Sequence, residues 1–384
     1  MTRFSLDHNA TSPLRPTARE AIHAALDAVG NASSVHAEGR AARSRIEDSR
    51  EQVAALVGGR PKNVIFTSGA TEALALALRP GWRGQGGEPA HLLLATTEHV
   101  AALDGQDFGA NATRLPVGAD GALDLAALEA TLSMHASGKP MLCLQAANNE
   151  TGVVQPVAAA ANRIHAASGL VVCDAVQAVG RIPCDFATTG ADMLIVSSHK
   201  IGGPQGAGAL ILRDSALQCG RPLIRGGGQE RGFRAGTENV AAIAGFGAAA
   251  AEAAANASAE SQRTKYLRDA LESELLRLVP EATVFGQSAA RLPNTSAFSI
   301  PGVSAETLLM AMDLAGVAVS SGSACSSGKV NRSHVLDSMG VAPDLAKGAL
   351  RASFGWSSTE ADLHACGAAL AQTIGRIRRA RVGG

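Results

Sequence analysis

Six short apolar runs constrain how this chain can fold. They are Asn63-Val-Ile-Phe-Thr67, Ala90-His-Leu-Leu-Leu-Ala95, Met141-Leu-Cys-Leu-Gln145, Leu170-Val-Val-Cys173, Met193-Leu-Ile-Val196 and Gly208-Ala-Leu-Ile-Leu212. Stretches with helical spacing, among them 125–133 and 157–168, lie between several of them. Over about residues 15–255 this alternation predicts an α/β fold, a mostly parallel sheet with helices on both faces.

Beyond it, 240–260 is rich in alanine and suits a closely packed helix. It leads into 263–278, where Leu267, Leu271, Leu275 and Leu278 share one helical face. A boundary is expected here, with a large domain at 14–255 and a smaller α+β domain built from 1–13 and 256–384. The length of 384 residues accommodates both. A net charge of zero gives no electrostatic support for a nucleic-acid partner or an anionic membrane surface. No apolar run approaches the ~20 residues that a membrane span needs. The N-terminus lacks the apolar core of a signal peptide, so a cytoplasmic location is expected. None of the six cysteines forms a CxxC pair or a zinc-ligand spacing. Cys143 and Cys173 lie in strand-like runs and read as core.

Chemistry gathers around Lys200, in Val196-Ser-Ser-His-Lys-Ile-Gly-Gly-Pro204, just after an apolar strand. A partly desolvated lysine there is suited to a Schiff base with an aldehyde cofactor. Asp174 and Gln177 stand at the end of the preceding strand. A carboxylate so placed can keep a pyridinium nitrogen protonated, which makes pyridoxal phosphate the expected cofactor. Thr67-Ser-Gly-Ala-Thr-Glu-Ala73 sits at a strand-to-helix junction and reads either as a phosphate cradle using Thr71 or as an ordinary N-cap box. His99 follows another strand end, where it could stack on a ring and relay protons. Asn149 offers a donor to a cofactor or substrate oxygen, or belongs to a turn. The glycine-rich segment 225–239 holds three arginines and Thr237, a second candidate phosphate contact. Arg351 could clamp a substrate carboxylate, or form a salt bridge at the rim. Cys325, in Ser320-Ser-Gly-Ser-Ala-Cys-Ser-Ser-Gly328, lies in a small-residue loop (about 320–335) followed by basic residues, the setting of a candidate nucleophile.

Taken in order, these motifs resemble the cysteine desulfurases of the NifS/IscS type, class V aminotransferases of the fold-type I pyridoxal-phosphate enzymes. Further marks are Leu6-Asp-His-Asn-Ala-Thr-Ser-Pro13, Asn31-Ala-Ser-Ser-Val-His36, Arg234-Ala-Gly-Thr237 and Ser333-His-Val335. The resemblance implies a seven-stranded-type sheet and conversion of L-cysteine to L-alanine. Sulfur would pass to Cys325 as a persulfide, for iron–sulfur cluster assembly or another acceptor pathway. Lys200 would carry the cofactor, Asp174 hold the pyridine nitrogen and Gln177 the phenolic oxygen. Ala70, Thr71, Ser197 and His199 would bind the phosphate, with Thr237 reaching the phosphate of a neighbouring subunit in a homodimer. His99 would stack on the ring, and Asn149 and Arg351 would hold the substrate carboxylate. No intrinsic metal is implied; Cys325 could transiently ligate an iron–sulfur cluster on a scaffold partner. Selenocysteine lyase, a true aminotransferase and a non-catalytic sulfur-relay component are the competing readings. Ser12 replaces a common threonine, and the short tail after Arg376-Ile-Arg-Arg-Ala-Arg leaves the sulfur acceptor open.

Overall fold

Each of the six apolar runs forms a strand buried on both faces. The computed structural model describes residues 3–84, 87–135, 138–321 and 332–382. In it the runs become Val64–Thr67, His91–Ala95, Pro140–Gln145, Leu170–Asp174, Met193–Ser197 and Gly208–Leu212. A seventh strand, Ala112–Leu115, completes the sheet at one edge. The spatial order is Val64–Thr67, Gly208–Leu212, Met193–Ser197, Leu170–Asp174, Pro140–Gln145, His91–Ala95, Ala112–Leu115. Pairing is parallel throughout except at Gly208–Leu212, which runs antiparallel to both neighbours.

Side chains alternate between the two faces, as the pleat requires. Val64, Phe66, Leu93, Leu142, Val171 and Leu194 enter one core; Ile65, Leu92, Met141, Cys143, Val172 and Ile195 enter the other. Removing each such side chain from water contributes about 1.5–3 kcal/mol, which is why both faces need a covering layer. Cys143 and Cys173 are fully buried, in accord with their reading as core.

A second, antiparallel sheet has the order Thr283–Val284, Thr295–Ser299, Leu350–Ser353, Ser320–Ser321. The start of the chain joins this region, because Phe4–Ser5 pairs in parallel with Val317–Ala318. Between the two sheets runs one helix of 39 residues, Val240–Leu278, so residue 255 lies within an unbroken helix. No proline interrupts it. Ala242, Phe246, Ala249 and Ala253 belong to the core of the large sheet, whereas Leu267, Leu271 and Leu275 belong to that of the small one. Gly247 permits close helix packing: a Cβ there would meet the Ser49 Cα of helix Ala37–Leu56 at 2.6 Å. By length and composition this helix is apolar enough to cross a bilayer, contrary to the expectation from the separate runs. Half of its most apolar stretch is buried within the protein.

Candidate active site

The parallel strands end along one edge of the sheet, and the segments that follow them enclose a cavity of about 390 Å³. This is where open α/β sheets place their ligands, since neighbouring loops diverge beyond the strand ends. Ala70, Thr71, His99, Asn149, Asp174, Gln177, Ser197, His199, Lys200 and Arg351 all line it. Thr237 is exposed and is not part of the lining. Cys325 lies in 322–331, outside the described residues.

Strand Met193–Ser197 passes into a single tight turn, Ser198–Lys200, which carries the lysine into the cavity wall. Lys200 Nζ donates to the carbonyls of Asn9 at 2.5 Å and Ala10 at 2.8 Å. Asp174, the last residue of its strand, accepts from the Val176 N–H at 3.0 Å. Burial pushes its carboxyl from the ordinary 3.8 to about 6, against the opposing pull of that hydrogen bond and of the Lys200 charge. A buried carboxylate with this resistance to ionisation gains most from a cationic N–H donor, which a protonated pyridine nitrogen supplies.

His99 caps the helical turn Val100–Leu103, its Nδ1 accepting from the Ala101 N–H at 3.1 Å. That bond puts the proton of the neutral ring on Nε2. Burial lowers its pKa, and the charges of Lys200 and His334 lower it further. Burial likewise brings His199 down to about 4, helped by Lys200 and Arg181. His199 Nδ1 lies 3.2 Å from Thr11 Oγ1.

Helix Ala70–Ala77 begins at the cavity, and no side chain caps its first turn. Glu72 instead turns back to accept from the Ser68 N–H at 2.8 Å and is held by Arg234 at 2.9 Å. Only part of the alternative capping box therefore forms, and the positive helix end remains at the cavity, where an anionic group would be favoured. Gly208 lets its strand run against this turn: a Cβ there would lie 2.6 Å from the Gly69 carbonyl carbon. An uncapped helix end, a buried acid and a lysine around one cavity fit pyridoxal phosphate.

Arg351 approaches from strand Leu350–Ser353 of the small sheet. Its guanidinium donates to Asp7 at 2.6 Å and to the Asn149 carbonyl at 3.0 Å. The expected salt bridge exists, but the arginine is buried, not at a rim, and its Nε has no partner among the described residues. Spare donor capacity on a buried guanidinium suits a carboxylate ligand. The residues flanking 322–331 are fastened to the same wall. Ser320 donates to the second Asp7 oxygen at 2.7 Å, Ser333 donates to Glu150 at 2.5 Å, and His334 Nε2 donates to the Glu98 carbonyl at 3.0 Å.

Sequence reasoning missed several contributors. Asn9 and Ala10 act through backbone carbonyls, Asp7 and Glu150 through contacts behind the lining, and Arg181 through Gln177. The motif Leu6-Asp-His-Asn-Ala-Thr was visible, but nothing in it signals a contact with a lysine 190 positions away.

The sheet, the lysine after its strand and the buried acid define a fold-type I pyridoxal-phosphate enzyme. The aminotransferase class-V model matches residues 4–366. An IscS-like cysteine desulfurase of Mycobacterium tuberculosis is 40% identical over 98% of this chain and 97% of its own length. A cysteine desulfurase of Cereibacter sphaeroides is 41% identical over 94% of this chain and 93% of its own. The crystal structure of a NifS-like protein from Rickettsia africae superposes with a TM-score of 0.87 at 34% identity, covering 97% of this chain and 99% of that one. The chain belongs to the class V aminotransferase family, among its cysteine desulfurases of the NifS/IscS type.

Proposed function

We propose that this cysteine desulfurase binds L-cysteine beside pyridoxal phosphate in the strand-end cavity and passes its sulfur to Cys325. The observation that carries the reading is the convergence of Lys200, Asp174 and a buried Arg351 with spare donor capacity on one cavity. Ala70, Thr71, Ser197 and His199 would hold the cofactor phosphate, Asp174 its ring nitrogen and Gln177 its phenolic oxygen. When bound, the cofactor supplies an electron sink for the pair left at the substrate Cα.

Arg351 orients the substrate carboxylate, supported by Asn149. Lys200, held by two carbonyls, is the base that takes the Cα proton once its amine is free. His99, neutral and protonated on Nε2, would stack at the cofactor ring and can relay a proton to the three-carbon fragment. The Cys325 thiolate then attacks the substrate sulfur. The Cβ–S bond breaks, its electron pair stays with the three-carbon fragment, and that fragment takes up a proton at Cβ, regains the Cα proton from Lys200 and leaves as L-alanine. The protein retains the sulfur as a persulfide.

Thr237, exposed in its arginine-rich segment, would contact the cofactor phosphate of a second copy of this chain, making a homodimer. The persulfide would pass to a sulfur-acceptor or iron–sulfur scaffold protein. The free thiols at Cys143, Cys173, Cys184, Cys219 and Cys366 suit a reducing compartment such as the cytoplasm.

The test is Cys325→Ala assayed with L-cysteine. It should retain the cofactor band and its spectral response to L-cysteine while losing persulfide and alanine formation. Alanine release at the wild-type rate would refute the role of Cys325, and turnover that requires a 2-oxo acid would identify an aminotransferase instead.

A further inference from the structure

Arg181 is a cation set among carbonyl oxygens. Its Nη1 donates to the Gln177 backbone carbonyl at 2.8 Å and to Gln177 Oε1 at 2.5 Å. Its Nη2 donates to the carbonyls of His8 and Lys200, each at 3.4 Å. Burial and the like charge of Arg351 bring its pKa down to about 10, so it remains a cation at neutral pH.

This arrangement decides which way the Gln177 amide faces. A guanidinium has five N–H donors and no acceptor, so the amide atom turned towards it must be oxygen. The amide nitrogen is then on the other side, where one hydrogen goes to the Asn9 carbonyl at 3.0 Å. The reversed amide would set N–H against N–H at Arg181 and oxygen against oxygen at Asn9. Gln177 lines the cavity, so its second N–H is left for a ligand there. Asn9 alone restrains only the nitrogen end; Arg181 holds the oxygen end.

We propose that Arg181 is a positioning residue for this reaction: it locks the Gln177 amide so that an N–H, and not the oxygen, is presented to the phenolic oxygen of the cofactor. The inference rests on the contact proposed above between Gln177 and that oxygen. A donor at the phenolic oxygen stabilises its negative charge and favours loss of the chromophore's proton. A loosened Gln177 withdraws that stabilisation without leaving the site.

The experiment is a pH titration of the visible cofactor band in the holoenzyme, for wild type, Gln177→Ala, Arg181→Met, Arg181→Lys and the Gln177→Ala/Arg181→Met double variant. Gln177→Ala should raise the titration midpoint by about one pH unit, the worth of one hydrogen bond to a charged oxygen. Arg181→Met should raise it in the same direction, Arg181→Lys should restore much of the wild-type value, and the double variant should shift no further than Gln177→Ala. Arg181→Ala gives the same reading should the methionine variant fail to fold. Loss of the Arg181 charge acting only through its field would persist without Gln177 and add in the double variant. That additivity, or a wild-type midpoint in Arg181→Met beside a shifted Gln177→Ala, overturns the inference alone. An unmoved midpoint in Gln177→Ala overturns the underlying contact, and the inference with it.

Discussion

Glu150 gives the fold a pH dependence that one substitution should remove. Its carboxyl is buried beside Asn149 and accepts from Ser333. Burial pushes its pKa from the ordinary 4.5 to about 7, while the Ser333 bond and the Arg351 charge only partly oppose the rise. Between those values the folded protein keeps a proton that the unfolded chain has released. The native state binds more protons, so stability falls as pH rises through this window. Above about pH 7 the full cost is reached, about 3 kcal/mol. Glu150→Gln removes the ionisation and keeps an oxygen acceptor for Ser333. At pH 4.5 the variant and wild type should melt together. Their difference should then grow in favour of the variant and level off above pH 7. Unfolding entropy is roughly 2 cal/mol/K per residue, so for a chain of 384 residues the plateau corresponds to about 4 °C. Scanning calorimetry of both proteins at saturating cofactor, from pH 4.5 to 8.5, measures it. A difference in Tm that stays flat across that range would refute the assignment of Glu150 as a carboxyl protonated by burial.

Two other substitutions probe the site directly. Arg351→Lys keeps the charge but loses the planar fork; KM for L-cysteine should rise about tenfold or more while cofactor affinity is unchanged, as checked by steady-state alanine formation and a cofactor titration. Asp174→Asn removes the anion expected to face the ring nitrogen; kcat for alanine formation should fall by about 100-fold, and a near-wild-type kcat would show that no charge is needed there.

Much of the site was legible because its side chains follow strand ends that the sequence itself marks. His99, Asn149, Gln177 and Lys200 each come within a few residues of an apolar run, and the sheet brings those ends together. The strand Ala112–Leu115 escaped because it is an edge strand of sequence Ala-Thr-Arg-Leu, with no apolar run to reveal it. Placing a boundary near residue 255 separated two stretches that form one helix, since a change in composition marks a change of packing partner and not a break in the backbone. Asn9 and Ala10 were invisible for a different reason. Every residue has a carbonyl, and only tertiary structure selects the two that orient Lys200. Arg181 follows Gln177 by four positions and looks like any partly exposed arginine until its hydrogen-bond partners are seen.

The pairing of Phe4–Ser5 with Val317–Ala318, together with the bond between Asp7 and Arg351, has a consequence for biosynthesis. Strand Phe4–Ser5 leaves the ribosome about 310 residues before the strand it pairs with. At roughly 5–20 residues per second, the N-terminal strand waits on the order of tens of seconds for it. Lys200 and Asp174 are made about 150 residues or more before the arginine that lines the same cavity. The pocket is therefore complete only once synthesis has passed Arg351, and a nascent chain that already carries the lysine still lacks the arginine that would select its substrate.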